Sequence, residues 1–171
     1  MDVELREWKR TDAASLAESA NDSRIATWLN EGFPYPYTLQ DAEKFIEQVL
    51  SDDLSIQRAI VAEGKVVGGI GAGRKRGALR YCAELGYWLS PSLWNGGVMT
   101  AAVRAFCGEV FETTQISRLQ AMVFAPNAAS CRVLEKCGFE REGVLRQCVR
   151  KDGRCYDAVL YGLLAPKKEK V

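Results

Sequence analysis

The chain has 171 residues and no histidine. Catalytic arrangements built on imidazole, Ser-His-Asp and Cys-His alike, are therefore excluded, and any general base must be a carboxylate, a tyrosine, a cysteine or an ordered water. Cysteine is present, at 82, 107, 131, 137, 148 and 155, but no two form a C-x-x-C pair. With no histidine to complete a mixed set, no metal site is expected, and the six read as small buried hydrophobes. An excess of either charge is also missing: 23 Lys and Arg face 22 Asp and Glu, a net charge of +1. A field of the kind that holds nucleic acid is absent, so no nucleic-acid partner is expected. The start of the chain carries Asp2, Glu4 and Arg6 in place of an apolar run, so neither a signal peptide nor a membrane span is expected and the reading is cytoplasmic.

What is present alternates between helix and strand periodicity. Apolar and charged residues alternate over 3–8, a half-buried first strand, and Thr11 and Asp12 offer an N-cap for a helix over 13–20. A second short helical piece is expected over 25–29. The stretch NEGFPYPY at 30–37, with two prolines and three aromatics, must be an irregular loop. Thr38 with Asp41 forms a capping pair for a helix ending near Ser51. Two β-rich runs, 56–62 and 65–71, join at Glu63 and Gly64 as a hairpin, and the basic stretch Arg74, Lys75, Arg76 reads as a solvated tip. In the strand over 80–89, Tyr81, Ala83, Leu85, Tyr87 and Leu89 share one face, and Cys82, Glu84, Gly86 and Trp88 the other. A helix with Met99, Val103, Phe106 and Val110 inward follows, then a strand over 118–124, a helix from Asn127 to Lys136 closed by Gly138, and two strands around Lys151, Asp152 and Gly153.

This order predicts an α/β fold in a single domain over 1–165, a mixed central sheet flanked by helices, with a disordered basic tail at 166–171. Its most informative stretch is 84–110, ELGYWLSPSLWNGGVMTAAVRAFCGEV, where a strand passes through a glycine-bearing turn straight into a helix. Such a join presents free N–H groups and the positive end of the helix dipole, a seat for an anion such as a diphosphate.

The run from Glu84 to Thr100, NAAS at 127–130 and LEKCGFEREGVLR at 134–146 together resemble the GNAT superfamily of acetyl-CoA-dependent N-acetyltransferases. The FPYPYT stretch at 33–38 and the terminal hairpin look most like its RimJ/RimL-type branch. The resemblance covers nearly the whole chain and implies a GNAT fold, acetyl-CoA as co-substrate and a primary-amine acceptor, either a protein N-terminus or a small amine, attacked directly in a ternary complex. A monomer or homodimer fits it. In the family the turn amides hold the CoA diphosphate, which assigns Trp88, Leu89, Trp94, Asn95, Gly96, Gly97, Val98, Met99 and Thr100 to the cofactor. Of the turn motif only Gly97 matches cleanly; Met99 stands where a small residue is usual, and altered CoA affinity is expected.

Asn127 and Ser130 match the family's N-x-x-S element, which implies that Asn127 binds near the pantetheine arm and Ser130 near the thioester sulfur. Leu134 occupies the place where many relatives have a tyrosine acid, leaving Ser130 as the local donor. Glu84 is the expected base, because an amine is mostly protonated at neutral pH and only its neutral form attacks a thioester. The resemblance also implies an oxyanion amide near Tyr87 to Leu89. Trp28, Phe33, Tyr35 and Tyr37 are expected to rim the acceptor pocket. Each assignment has a structural counterpart: a solvated strand-face Glu84, an N-capping Asn127, a first-turn Ser130, aromatics that pin their loop to the core. Asp157 on the last strand is read as structural rather than as an amine anchor. A GNAT-fold acyl-CoA binding or sensor module without turnover is the alternative.

Overall fold

The computed structural model describes residues 3–167; the end of the basic tail, 168–171, for which disorder is expected, lies outside the described residues. The elements are β1 (Val3–Arg6), α1 (Ala13–Ala20), α2 (Ser23–Ala26), α3 (Leu39–Ser51), β2 (Ser55–Ala62), β3 (Lys65–Arg74), β4 (Cys82–Leu89), α4 (Val98–Thr113), β5 (Arg118–Phe124), α5 (Ala128–Lys136), β6 (Glu140–Lys151) and β7 (Arg154–Leu164). All strands join one sheet in the order β1-β2-β3-β4-β5-β7-β6. Every pairing is antiparallel except β4 with β5, which the α4 crossover makes parallel.

Two cores form because the strand alternation sends side chains to both faces. On one face Ile70, Ala72, Leu85 and Leu89 pack against Val103, Phe106 and Val110 of α4 and Leu134 of α5. On the other, Ala59, Val61 and Val66 meet Trp8, Leu16 of α1 and Ala42 and Ile46 of α3. The helix α3 starts as its sequence predicts: Asp41 N donates to Thr38 Oγ1 at 3.2 Å, and Thr38 N donates back to Asp41 Oδ2 at 2.8 Å.

Several local expectations shift. Asp12 precedes α1 but does not cap it; its carboxylate turns back to Arg6, at 2.8 Å, and to the Lys9 amide, at 2.9 Å. The second helical piece is Ser23–Ala26, started by Asp22, whose carboxylate accepts from Arg24 N, so it begins two residues earlier than the apolar pattern indicated. Tyr81 lies before β4 begins and is exposed, because the strand alternation that buries Ala83 and Leu85 has not started. The cysteines are not uniformly buried: Cys107 is, but Cys148 and Cys155, on the outer β6–β7 hairpin, are exposed, since β6 is an edge strand with little packed over it. Among the described residues no helix is long and apolar enough to cross a membrane.

Candidate functional site

The parallel pair β4 and β5 is joined only at its start. Cys82, Ala83 and Glu84 oppose Arg118, Leu119 and Gln120, and beyond them the two strands part. On its other side β4 stays paired with β3 as far as Leu89, and β5 stays paired with β7 as far as Phe124. The strands therefore diverge without losing support, and a cleft of about 400 Å³ opens between them, lined by 85–89 of β4, Ala121 to Phe124 of β5, the start of α4, one face of α5, and α2. Alternate residues of β4 point their N–H and C=O groups away from β3 and so into this gap.

The N-terminus of α4 faces the same cleft. Asn95 and Gly97 hold positive φ, 63° and 78°, and this sharp turn brings the chain from β4 into α4. The first intrahelical bond runs from Ala101 N to Gly97 O at 3.0 Å, and no side chain caps the helix. The amides of Val98, Met99 and Thr100 are thus without helical partners and, with the dipole of a 16-residue helix behind them, form a site for an anion. Trp94, Asn95, Gly97, Val98, Met99 and Thr100 all line the cleft; Gly96 does not, and its part is confined to the turn. Met99, at the position where the motif favours a small residue, is buried beneath the turn with Ala102 and Val103. Trp94 Nε1 donates to Leu89 O at 2.8 Å, tying the turn to the end of β4.

Deeper in the cleft, the hydroxyls of Tyr87 and Ser130 are 2.8 Å apart. Asn127 accepts from Ser130 N at 3.3 Å, so it is the N-cap of α5 while also lining the cleft. Leu134 is fully buried in the core as a packing residue, and a phenol reaches Ser130 from β4 instead. Burial pushes the Tyr87 phenol well above its usual value, the Ser130 hydrogen bond opposing it only in part, so Tyr87 stays protonated and able to donate. Strand periodicity places Tyr87 on one face with Ala83, Leu85 and Leu89, and it is the parting of β4 from β5 that turns that face toward Ser130.

Glu84 does not line this cleft. It lies on the opposite sheet face, in a second hollow of about 280 Å³ that shares Leu29, Gly86, Tyr87 and Trp88 with the first. Its carboxylate is held by the Lys75 ammonium, so the stretch Arg74 to Arg76 is not simply a solvated tip. The hollow has an aromatic wall of Phe33, Phe45 and Trp88. Of the four aromatics expected at the acceptor side, Phe33 lines the second hollow and Trp28 the first. Tyr35 is 56% exposed and lines neither, and Tyr37 is buried in the α1–α3 core, its phenol pushed up to about 12 by burial and by nearby Asp41. The loop thus divides its aromatics between anchoring and lining. Asp157 accepts from Gln147 N at 2.8 Å, steadying an irregular point of β6.

The mouth of the cleft carries three cations that composition did not single out: Arg24, Arg132 and Lys136. Arg24 is oriented by Asp22, at 2.7 Å, and lies over the Trp94 ring, 5.8 Å from its centroid. Lys151, reaching back from the terminal hairpin, is buried and donates to the carbonyls of Ala26 and Leu29, which fixes the α2 segment over the cleft. Among the described residues no cluster of His, Cys, Asp or Glu is placed to hold a metal ion.

Set beside known proteins, this arrangement has close counterparts. The Acetyltransferase (GNAT) domain model matches residues 2–140. The uncharacterized N-acetyltransferase YnaD of Bacillus subtilis is 27% identical over 161 residues, 94% of this chain and 92% of that one. YoaA, also from Bacillus subtilis, is 37% identical over 86 residues, about half of each chain at 50% and 49%. The solved structure of Mycobacterium smegmatis RimJ in complex with CoA-disulfide superposes with a TM-score of 0.87 at 26% identity, covering 98% of this chain and 84% of that one. With a family match over most of its length, and a sheet that parts at β4 and β5 above an uncapped α4, the chain belongs to the GNAT family of acetyltransferases.

Proposed function

We propose that the chain moves the acetyl group of acetyl-CoA to a primary amine by direct attack in a ternary complex, as an enzyme of the RimJ/RimL-type branch. The observation that carries this reading is the Tyr87–Ser130 hydroxyl pair on the wall of the β4–β5 cleft. The residues present fit acetyl-CoA. The α4 amides suit a diphosphate, Arg24, Arg132 and Lys136 at the mouth suit further phosphate charge, and the unpaired edges of β4 and β5 suit the amides of a pantetheine arm. The likeness to RimJ, which was solved with a CoA-disulfide, supports both the ligand and the branch.

In this reading the acceptor enters from the second hollow, on the opposite sheet face. Glu84 takes the proton that the acceptor ammonium must lose, directly or through water. The amine nitrogen then bonds to the acetyl carbon and the carbon–sulfur bond breaks; the departing thiolate takes a proton from Ser130, which Tyr87 hydrogen-bonds, and the second proton shed by the nitrogen restores the Ser130 hydroxyl. An N–H on the free edge of β4 stabilises the charge that develops on the carbonyl oxygen.

A binding or sensor module without turnover is the competing reading, favoured by the Lys75 ammonium that already holds Glu84. One experiment separates the two: release of free thiol from acetyl-CoA is followed with N-terminal peptides, polyamines, amino acids and aminoglycosides as acceptors, alongside melting with and without acetyl-CoA. Amine-dependent thiol release supports the transferase. A raised melting temperature with no amine stimulating release supports the module.

A further inference from the structure

A glycine in the middle of a strand packs nothing and weakens the ladder, so each needs a reason. Four glycines lie on the α1–α3 face of β3 and β4 and line the second hollow: Gly69, Gly71, Gly73 and Gly86. Gly69 has a packing reason, since a Cβ there would lie 2.7 Å from the Trp88 indole nitrogen. Gly73 and Gly86 have none, for a Cβ at either would meet nothing within 4 Å. Gly71, paired across the strands with Gly86, is different again: its missing side chain is replaced by the end of Gln57, whose Oε1 lies 2.0 Å from where the Cβ would be.

Gln57, on β2 opposite Gly71, therefore lays its carboxamide across the floor of the hollow beside the open space over Gly86. Among the described residues this carboxamide has no hydrogen-bond partner, although it carries two donors and an acceptor. Around it stand Phe33, Phe45 and Trp88, whose one polar group is the Trp88 indole N–H beside Gly69. Glu84 lies one row further along the same face, opposite Gly73. Two residues along and one strand across is roughly 8 Å, a separation that a short amine-bearing amide spans with a hydrogen bond at each end.

We infer that Gln57 is a specificity-determining residue of the acceptor site and selects amines that carry a neutral amide or carbonyl beside the amino group. This rests on the transferase reading. Gly71 is part of the device, because it alone makes room for the carboxamide to lie flat on the sheet. The bare position at Gly86 leaves the space that the acceptor occupies.

The test compares glycinamide with isobutylamine, its hydrocarbon isostere, in the unmodified chain, in Gln57→Leu and in Gly71→Ala. Gln57→Leu removes the hydrogen-bonding group at nearly constant volume. Gly71→Ala keeps Gln57 but displaces its flexible end. The quantity read is the ratio of kcat/KM for the two amines; comparing this ratio between variants cancels their intrinsic difference in basicity. The ratio is expected to fall about five- to tenfold in both variants, the scale of one neutral hydrogen bond, with the KM for acetyl-CoA and its effect on melting unchanged. A ratio unchanged in either variant while transfer continues overturns this inference and leaves the transferase reading standing. If the unmodified chain transfers to no amine of any kind, both are overturned.

Discussion

The phenol of Tyr87 on β4 lies 2.8 Å from the hydroxyl of Ser130 on α5, a hydrogen bond that joins the strand to the helix across the cleft. It gives Ser130 a neighbour that can return a proton, and burial keeps that neighbour a phenol across the working pH range. Ser130→Ala is expected to lower kcat roughly 10²-fold, at the lower end of what general acid catalysis is worth. Tyr87→Phe should do the same to a lesser degree, roughly tenfold, and the double variant should be little worse than Ser130→Ala, because the two act as one unit. Steady-state rates for the four proteins decide it; fully additive losses rule out the shared role.

At the other end of the cleft, Gly97 adopts φ 78° as the residue just before α4, a conformation that a side chain resists. Gly97→Val is expected to reposition the amides of Val98 and Met99 and weaken acetyl-CoA binding about tenfold, while kcat at saturating acetyl-CoA stays within a fewfold. Titration calorimetry measures the affinity. Unchanged binding would show that the anion seat lies elsewhere.

How much of this was legible beforehand differs by element. The bounds of α1 and β5, the Thr38–Asp41 cap and the left-handed Gly138 were readable, because periodicity, capping and turn chemistry are local. So was the α4 turn, whose glycines mark it. The β4–β5 divergence was not, since it depends on how β5 is held by β7 some 40 residues later. The strand alternation did put Glu84 on the face opposite Tyr87, but the second hollow it lines, the Tyr87–Ser130 hydrogen bond and the Lys75 partner across the β3–β4 connection were lost with the divergence. Phe33, Tyr35 and Tyr37 looked equivalent in a loop without periodicity, yet packing sends one to a pocket, one to solvent and one to the core.

Lys75 and Glu84 are each 36% exposed, so their ion pair contributes at most about 1 kcal/mol to stability and Lys75→Met should fold normally. Its effect belongs on the acceptor. With the ammonium gone, the carboxylate is free to receive the incoming ammonium, and the KM for the acceptor is expected to fall a fewfold with the KM for acetyl-CoA unchanged. Glu84→Gln should instead lower kcat roughly 10²-fold. A Glu84→Gln protein with full kcat would remove Glu84 from the mechanism.

Lys151 is buried and bonds the carbonyls of Ala26 and Leu29, joining the terminal hairpin to the segment that lines both pockets. Lys151→Met leaves those two carbonyls without their donor and is expected to cost about 2 kcal/mol. Because the segment is only a four-residue helix, its release should also raise the KM for acetyl-CoA and for the acceptor together, with kcat less affected. Denaturation and kinetics measured on the same preparation test this; a loss of stability with both KM values unchanged makes the contact purely structural.

The Arg6–Asp12 pair gives the fold a pH signature away from the site. Burial alone would raise the Asp12 carboxyl, but the Arg6 guanidinium and the Lys9 amide outweigh it and hold the group below its ordinary 3.8. A carboxyl lowered in the folded state contributes stability that is fully present above its unfolded value and is lost as pH falls through the folded one. Both side chains are well shielded, 19% exposed for Arg6 and 7% for Asp12, so Asp12→Asn strands a cation and is expected to cost about 2–3 kcal/mol near neutrality. The gap between the two proteins should then narrow as pH falls below the ordinary 3.8 and the native carboxyl takes up its proton. Urea unfolding at several pH values measures the gap, and a difference that stays constant through that range would mean Asp12 acts through its shape and not its charge.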